Sequence, residues 1–233
     1  MKHTIERVLF WFMDGNEQKR ILDERYFALG NLLTRLLRQK YQGKRIEFIN
    51  INFNTEKTYE LHPLSPKFNT HFYGGHLTYD DVFDLNSFNK MSEKGQNEFI
   101  WKRAFQIFQE AATFIKNESL LSASEYAYHK GLEINLNPDY RMVEKDIVFS
   151  NQKMKAAVWV NFRKNGMYST FTLEKDGEVV FKKEIDKTKN GIEFFLEIYK
   201  SIDLQNDSII IKGHKDVEYF PLKIPLEEIQ INI

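Results

Sequence analysis

Three histidines, His62, His71 and His76, fall within fifteen residues and lead into Asp80, Asp81 and Asp84. Imidazole nitrogen beside carboxylate oxygen is the donor set of zinc and non-haem iron sites, and equally of a proton-transferring pair. The spacing matches no metal-ligand motif. His71 and His76 are five apart, which on one regular strand puts them on opposite faces. Surface histidines around a kink at Gly74-Gly75 are the better reading, and no metal site is expected.

The other candidate chemistries have simpler explanations. Gly74-Gly75 is followed by His76-Leu77-Thr78, a strand-like run rather than a helix start, so it is not a phosphate-cradling loop. A bulge or bend accounts for it. Asp14 falls at the carboxyl end of the first expected strand, where α/β sites often lie. With Glu17 three residues on, it reads as a capping box that starts a helix. The run Asp80-Asp81-Val82-Phe83-Asp84 could meet a basic partner, but reads first as a solvated loop or helix start. No G-x-S-x-G or H-E-x-x-H motif is present, so no catalytic residue and no cofactor is expected.

Composition narrows the classes further. The chain has 33 basic and 33 acidic residues, which argues against a dedicated nucleic-acid binder. It contains no cysteine, which excludes disulfides, thiolate metal sites and cysteine nucleophiles. Aromatics make up 15% of the 233 residues, so a sizeable core can form. The apolar run Val8–Met13 is too short for a signal sequence, and no run approaches the ~20 residues of a membrane helix. The expectation is a cytoplasmic protein.

The elements that would position these residues follow from periodicity. Ile5 to Met13 predicts a buried strand. Leu22, Tyr26, Leu29, Leu33 and Leu36 mark one face of a helix from about Glu17 to Tyr41. The cluster Arg35, Arg38, Lys40, Lys44 and Arg45 fits cations at a helix C-terminus. Arg45 to Phe53 alternates as a strand, and a parallel pairing with the first would make a crossover unit. Lys57–Leu61 and Phe72–Thr78 are weaker strand candidates, with a loop over His62-Pro63-Leu64-Ser65-Pro66 between them.

Ser92 is the expected N-cap of a long central helix with a wide stripe from Trp101 to Ile115, and a second helix spans about Ser119 to Ile134. After Arg141–Phe149, strands at Lys155–Lys164, Met167–Lys175 and Glu178–Ile185 are joined by Asn165-Gly166 and Asp176-Gly177, the signature of an antiparallel meander. A short helix over Gly191–Ile202 and a hairpin of Ser208–Lys212 with Val217–Ile224 follow. Pro221 suggests an edge strand.

The fold class is therefore α+β, with an N-terminal β-α-β-rich part over 1–83, a central helical pair over 84–138, and a C-terminal antiparallel meander with one short helix over 139–233. The two β-rich parts are expected to form separate sheets, with the helices packed on both. The working surface is then expected on loops and sheet edges.

From Phe83 to Phe220 the chain carries FDLNSF, a Ser92-Glu93-Lys94 helix start, a long amphipathic helix, AYHKGLEINL and KAAVWVNF. This layout resembles the immunity proteins, small cytoplasmic bacterial proteins encoded in polymorphic-toxin loci. The resemblance implies a protein that binds a cognate toxin and blocks its active site, and it transfers no individual site residue. The expected function is a protein-binding inhibitor, with His76, Tyr79, Asp80 and Asp81 as the candidate contact patch. The alternatives are an enzyme using an unrecognised His/Asp site and an oligomeric adaptor.

Overall fold

Strand β1, Arg7–Asp14, buries Val8, Phe10 and Phe12 and leaves the residues between them half-covered. That period of two is what a strand with one core face requires. The computed structural model describes residues 5–43, 45–63, 69–149 and 152–229. It divides into two units, Met1–Pro138 and Asp139–Ile233. The predicted positions of Lys44, Leu64, Ser65 and Pro66 lie outside the described residues.

In the first unit, β1 turns at Gly15-Asn16 into the short strand β2, Glu17–Gln18. Helix α1 then runs from Arg20 to Lys40. This corrects the capping-box reading of Asp14 and Glu17. Gly15 takes a φ of 64°, which closes a tight turn that a helix start would not need. The helix begins beyond it on Lys19, which makes no side-chain cap. Leu22, Tyr26, Leu29, Leu33 and Leu36 are all buried, as the stripe predicts.

Strand β3, Phe48–Asn54, pairs parallel with β1, so β1–α1–β3 is a crossover unit. Next comes a helix, α2, Glu56–Leu61, where a strand was expected. The five-residue run Lys57–Leu61 is too short for periodicity to decide, and tertiary bonds decide instead. The Thr58 hydroxyl accepts from Gly15 N at 2.9 Å and donates to Met13 O at 3.2 Å, holding the segment on the β1 turn.

The expected strand Phe72–Thr78 is two strands, β4, Thr70–Tyr73, and β5, His76–Val82. Gly74 and Gly75, at φ 56° and 86°, are a two-residue hairpin turn rather than a bulge. The sheet order is β2-β1-β3-β5-β4, with β1, β3 and β5 parallel and β2 and β4 antiparallel at the edges.

Helix α3, Leu85–Asn89, is capped by Asp84. Helix α4, Glu93–Phe114, starts on Ser92, whose hydroxyl accepts from Gly95 N at 3.1 Å. Helix α5, Glu118–Glu133, starts on Asn117. Ile100, Trp101, Ala104, Ile107, Phe108, Ala111, Leu120, Ala123 and Ala127 join one core with α1 and with Val8, Phe10, Phe12, Ile49, Ile51, Phe53, Leu77 and Tyr79 of the sheet. The helices thus cover the even-numbered face of β1 and the odd-numbered face of β3 and β5.

In the second unit, β6 (Tyr140–Phe149), β7 (Gln152–Arg163), β8 (Gly166–Lys175) and β9 (Glu178–Thr188) form the predicted meander in sequence order. Asp176 and Gly177 both take positive φ in the β8–β9 turn. The expected helix over Gly191–Ile202 is only a 3₁₀ turn, Glu193–Leu196, and Tyr199–Gln205 is strand β10. Asn206-Asp207 turns β10 into β11, Ser208–Gly213, which a central-strand position makes the middle of a three-stranded antiparallel sheet. Strand β12, Leu222–Pro225, is shorter than expected and takes the edge that Pro221 suggested.

No helix among the described residues is long and apolar enough to cross a membrane.

Candidate functional site

The first unit's sheet has a second face. Parallel strands are normally covered on both sides. Here the side opposite the helices carries Leu9, Trp11 and Met13 of β1, Phe48, Asn50 and Asn52 of β3, Thr78 and Asp80 of β5, and His71, Tyr73 and His76 of the β4–β5 hairpin. The strand registers place these residues side by side. All are half-covered or exposed, and Tyr73 is 90% exposed.

Side-chain bonds order this face. Trp11 Nε1 donates to Asn50 Oδ1 at 3.2 Å. The amides of Asn52 and Asn54 both donate to Asp80 Oδ1, at 2.8 and 3.2 Å. His71 Nε2 lies 3.7 Å from Asp80 Oδ2. Phe48 stacks on His76 with ring centroids 4.8 Å apart, and the Arg7 guanidinium sits 5.3 Å from the centre of the Phe48 ring. The hairpin therefore brings His71 and His76 to the same face, which corrects the opposite-face argument made for a single strand.

The four residues of the expected contact patch do not stay together. His76 and Asp80 are on the open face. Tyr79 and Asp81 are 2% and 6% exposed on the helix-covered side. There Asp81 takes two bonds from Arg103 of α4, Nε to Oδ2 at 2.7 Å and Nη2 to Oδ1 at 2.6 Å. The Tyr79 hydroxyl donates to Glu110 of the same helix. Burial, then the Glu110 carboxylate, push the Tyr79 hydroxyl up to about 12, so it stays neutral.

The remaining carboxylates and histidines are accounted for locally. Asp84 accepts from Asn86 N, Ser87 N and Ser87 Oγ at the start of α3. The Ser87 hydroxyl is the main reason its carboxyl is held below the usual range. Asp14 accepts from Thr55 Oγ1 at 3.0 Å and faces Lys19 at 3.6 Å. His62 Nε2 meets Asn16 Oδ1 at 2.7 Å. Helix α2 is thereby tied to the β1–β2 turn at the carboxyl ends of the parallel strands, where open α/β sheets usually take ligands. Among the described residues, no group of three or more His, Cys, Asp and Glu side chains is placed to share a metal ion.

The site residues that sequence reading missed are Trp11, Asn50, Asn52, Asn54 and Tyr73. Their signal was present: FININFN alternates amide and apolar side chains, so one face of β3 is a row of asparagines. No family model, no curated protein and no solved structure matches the chain.

Proposed function

We propose that the protein is a binding module that grips another protein through the open face of its five-stranded sheet. It acts as an inhibitor of the immunity type in the bacterial cytoplasm. The observation that carries this reading is the content of that face. Trp11, Phe48 and Tyr73 present aromatic surface beside a row of asparagine amides, and Arg7 is laid over Phe48. Tryptophan, tyrosine and arginine are the residues that most often dominate binding energy at interfaces, and amides supply directional bonds between them.

The layout resemblance to immunity proteins supplies the class of partner, a toxin whose active site the bound module would cover. The test is co-expression with the product of the adjacent gene. The two proteins should co-purify, cells should be protected, and Trp11→Ala or Tyr73→Ala should weaken binding tenfold or more. Co-purification that neither substitution weakens would move the interface elsewhere.

A second reading rests on the approach of His71 to Asp80. An imidazole held near a fixed carboxylate can transfer protons. It predicts a hydrolytic activity of the purified protein that His71→Ala abolishes.

A further inference from the structure

Asp80 and Asp81 have opposite electrostatic surroundings. Asp81 is neutralised within the fold by the two-bonded Arg103 pair. The Asp80 side chain is only 14% exposed, and its bonded side-chain partners, Asn52 and Asn54, are neutral amides. Among the described residues, its ion-pairing neighbour within 4 Å is the His71 ring, Nε2 lying 3.7 Å from Oδ2 and the side chain 53% exposed. A largely covered carboxylate whose hydrogen bonds come from neutral amides favours a cation brought from outside.

Two acceptors beside it are left open. Both asparagines spend an amide N–H on Asp80 Oδ1, so Asp80 Oδ2 and the Asn52 side-chain carbonyl accept no bond from the described residues. Trp11 is the register partner of Asn52 on the same face. A planar guanidinium offers five N–H donors in a fixed fork and stacks on an indole, whereas an ammonium offers a point charge and stacks less well.

We infer that Asp80, Asn52 and Trp11 form a receptor for an arginine side chain of the bound protein. This rests on the binding reading for its partner, but its chemistry can be tested without one.

The experiment titrates N-acetyl-arginine amide into the isotope-labelled full chain and follows the side-chain amide signals of Asn52 and Asn54 by NMR. The expected result is a saturable shift at both amides, at least fivefold weaker for N-acetyl-lysine amide and absent with N-acetyl-glutamine amide. Asp80→Asn should remove it. His71→Arg, at a position 53% exposed, should also remove it by supplying the guanidinium from within. An absent shift in the folded wild-type chain overturns the inference, and so does one that survives in both variants. That failure would leave the effects of Trp11→Ala and Tyr73→Ala on a co-purified partner intact. Failure of the binding reading would show instead as a partner whose binding ignores Trp11 and Tyr73.

Discussion

Asp81 and Arg103 form an ion pair bonded at both ends, linking the middle strand of the hairpin side of the sheet to α4 beneath it. Their side chains are 8% and 24% exposed. The aspartate main-chain neighbour, Asp80, faces the other way. The pair pins β5 to the helix layer, and its Arg103 end also reaches Glu110 at 3.3 Å.

Removing one partner of such a pair leaves the other buried and uncompensated. Arg103→Ala is expected to cost about 3 kcal/mol in chemical denaturation. The double replacement Asp81→Leu with Arg103→Leu should cost less than the single one, because no charge is left behind. Additive losses would show that the pair is not coupled.

Trp101 lies directly on Gly131 where α4 meets α5. A Cβ at Gly131 would come 2.2 Å from Trp101 Cζ2. The indole also donates to Tyr128 O at 3.1 Å. Gly131→Ala gains about 1 kcal/mol of helix propensity but must displace a fully buried indole. Overpacking of that kind costs about 1–3 kcal/mol. Net destabilisation with a shifted Trp101 emission is the expected outcome.

Much of this arrangement was legible in the sequence, and the exceptions share a physical cause. The stripe from Leu22 to Leu36, the Ser92 cap and the Asp176-Gly177 turn are local signals, and each element formed where its signal lay. The segment Lys57–Leu61 is too short to carry a period, and its helix depends on Thr58 meeting Gly15, 43 residues away in sequence. The contact patch was half legible. A period of two separates Asp80 from Asp81, but which of them is covered depends on Arg103, 22 residues further on. Gly74-Gly75 fits a bend or a hairpin equally, and only the pairing of β4 with β5 shows that His71 and His76 share a face.

Asp203 sets an acid response in the second unit. Lys145 and Lys212 bond its two oxygens at 2.7 and 2.8 Å, Lys145 contributing most, and hold its carboxyl at about 2 against an ordinary 3.8. A depressed folded value gives stability that is present above pH 4 and lost as pH falls toward 2. Asp203→Asn should flatten the acid titration of the second unit, followed through Trp159, over that window. Because the carboxylate is solvated, added salt should shrink the effect.

Tyr79 predicts the opposite sign at the alkaline end. Its folded value near 12 lies above the ordinary 10.0. The first unit should therefore lose stability as pH rises from 10 through 12, since the unfolded chain gives up this proton first. Tyr79→Phe should remove that part of the alkaline slope while costing about 1 kcal/mol at neutral pH for the lost Glu110 bond. An unchanged slope would mean that another group carries it.

Thr34 supports the open face of the sheet from behind. Among the described residues, strand β1 is flanked on its outer side by the two residues of β2 alone, so much of its outer edge has no pairing strand among them. Helix α1 seals that edge with side chains. Val8 N donates to Thr34 Oγ1 at 2.9 Å and Phe12 N to Asp23 Oδ1 at 2.9 Å. The Thr34 hydroxyl donates in turn to Gly30 O at 2.8 Å, at the point where a Cβ on Gly30 would come 2.5 Å from Val8 O. Thr34→Val keeps the shape and removes the acceptor, leaving a buried amide N–H unpaired. The expected cost is about 1–3 kcal/mol in denaturation, with faster hydrogen exchange at Val8 than at Phe12. Because Trp11 is carried on the same strand, partner binding should weaken along with that exchange protection. Loss of protection at Val8 with binding unchanged would show that the edge seal and the open face are independent.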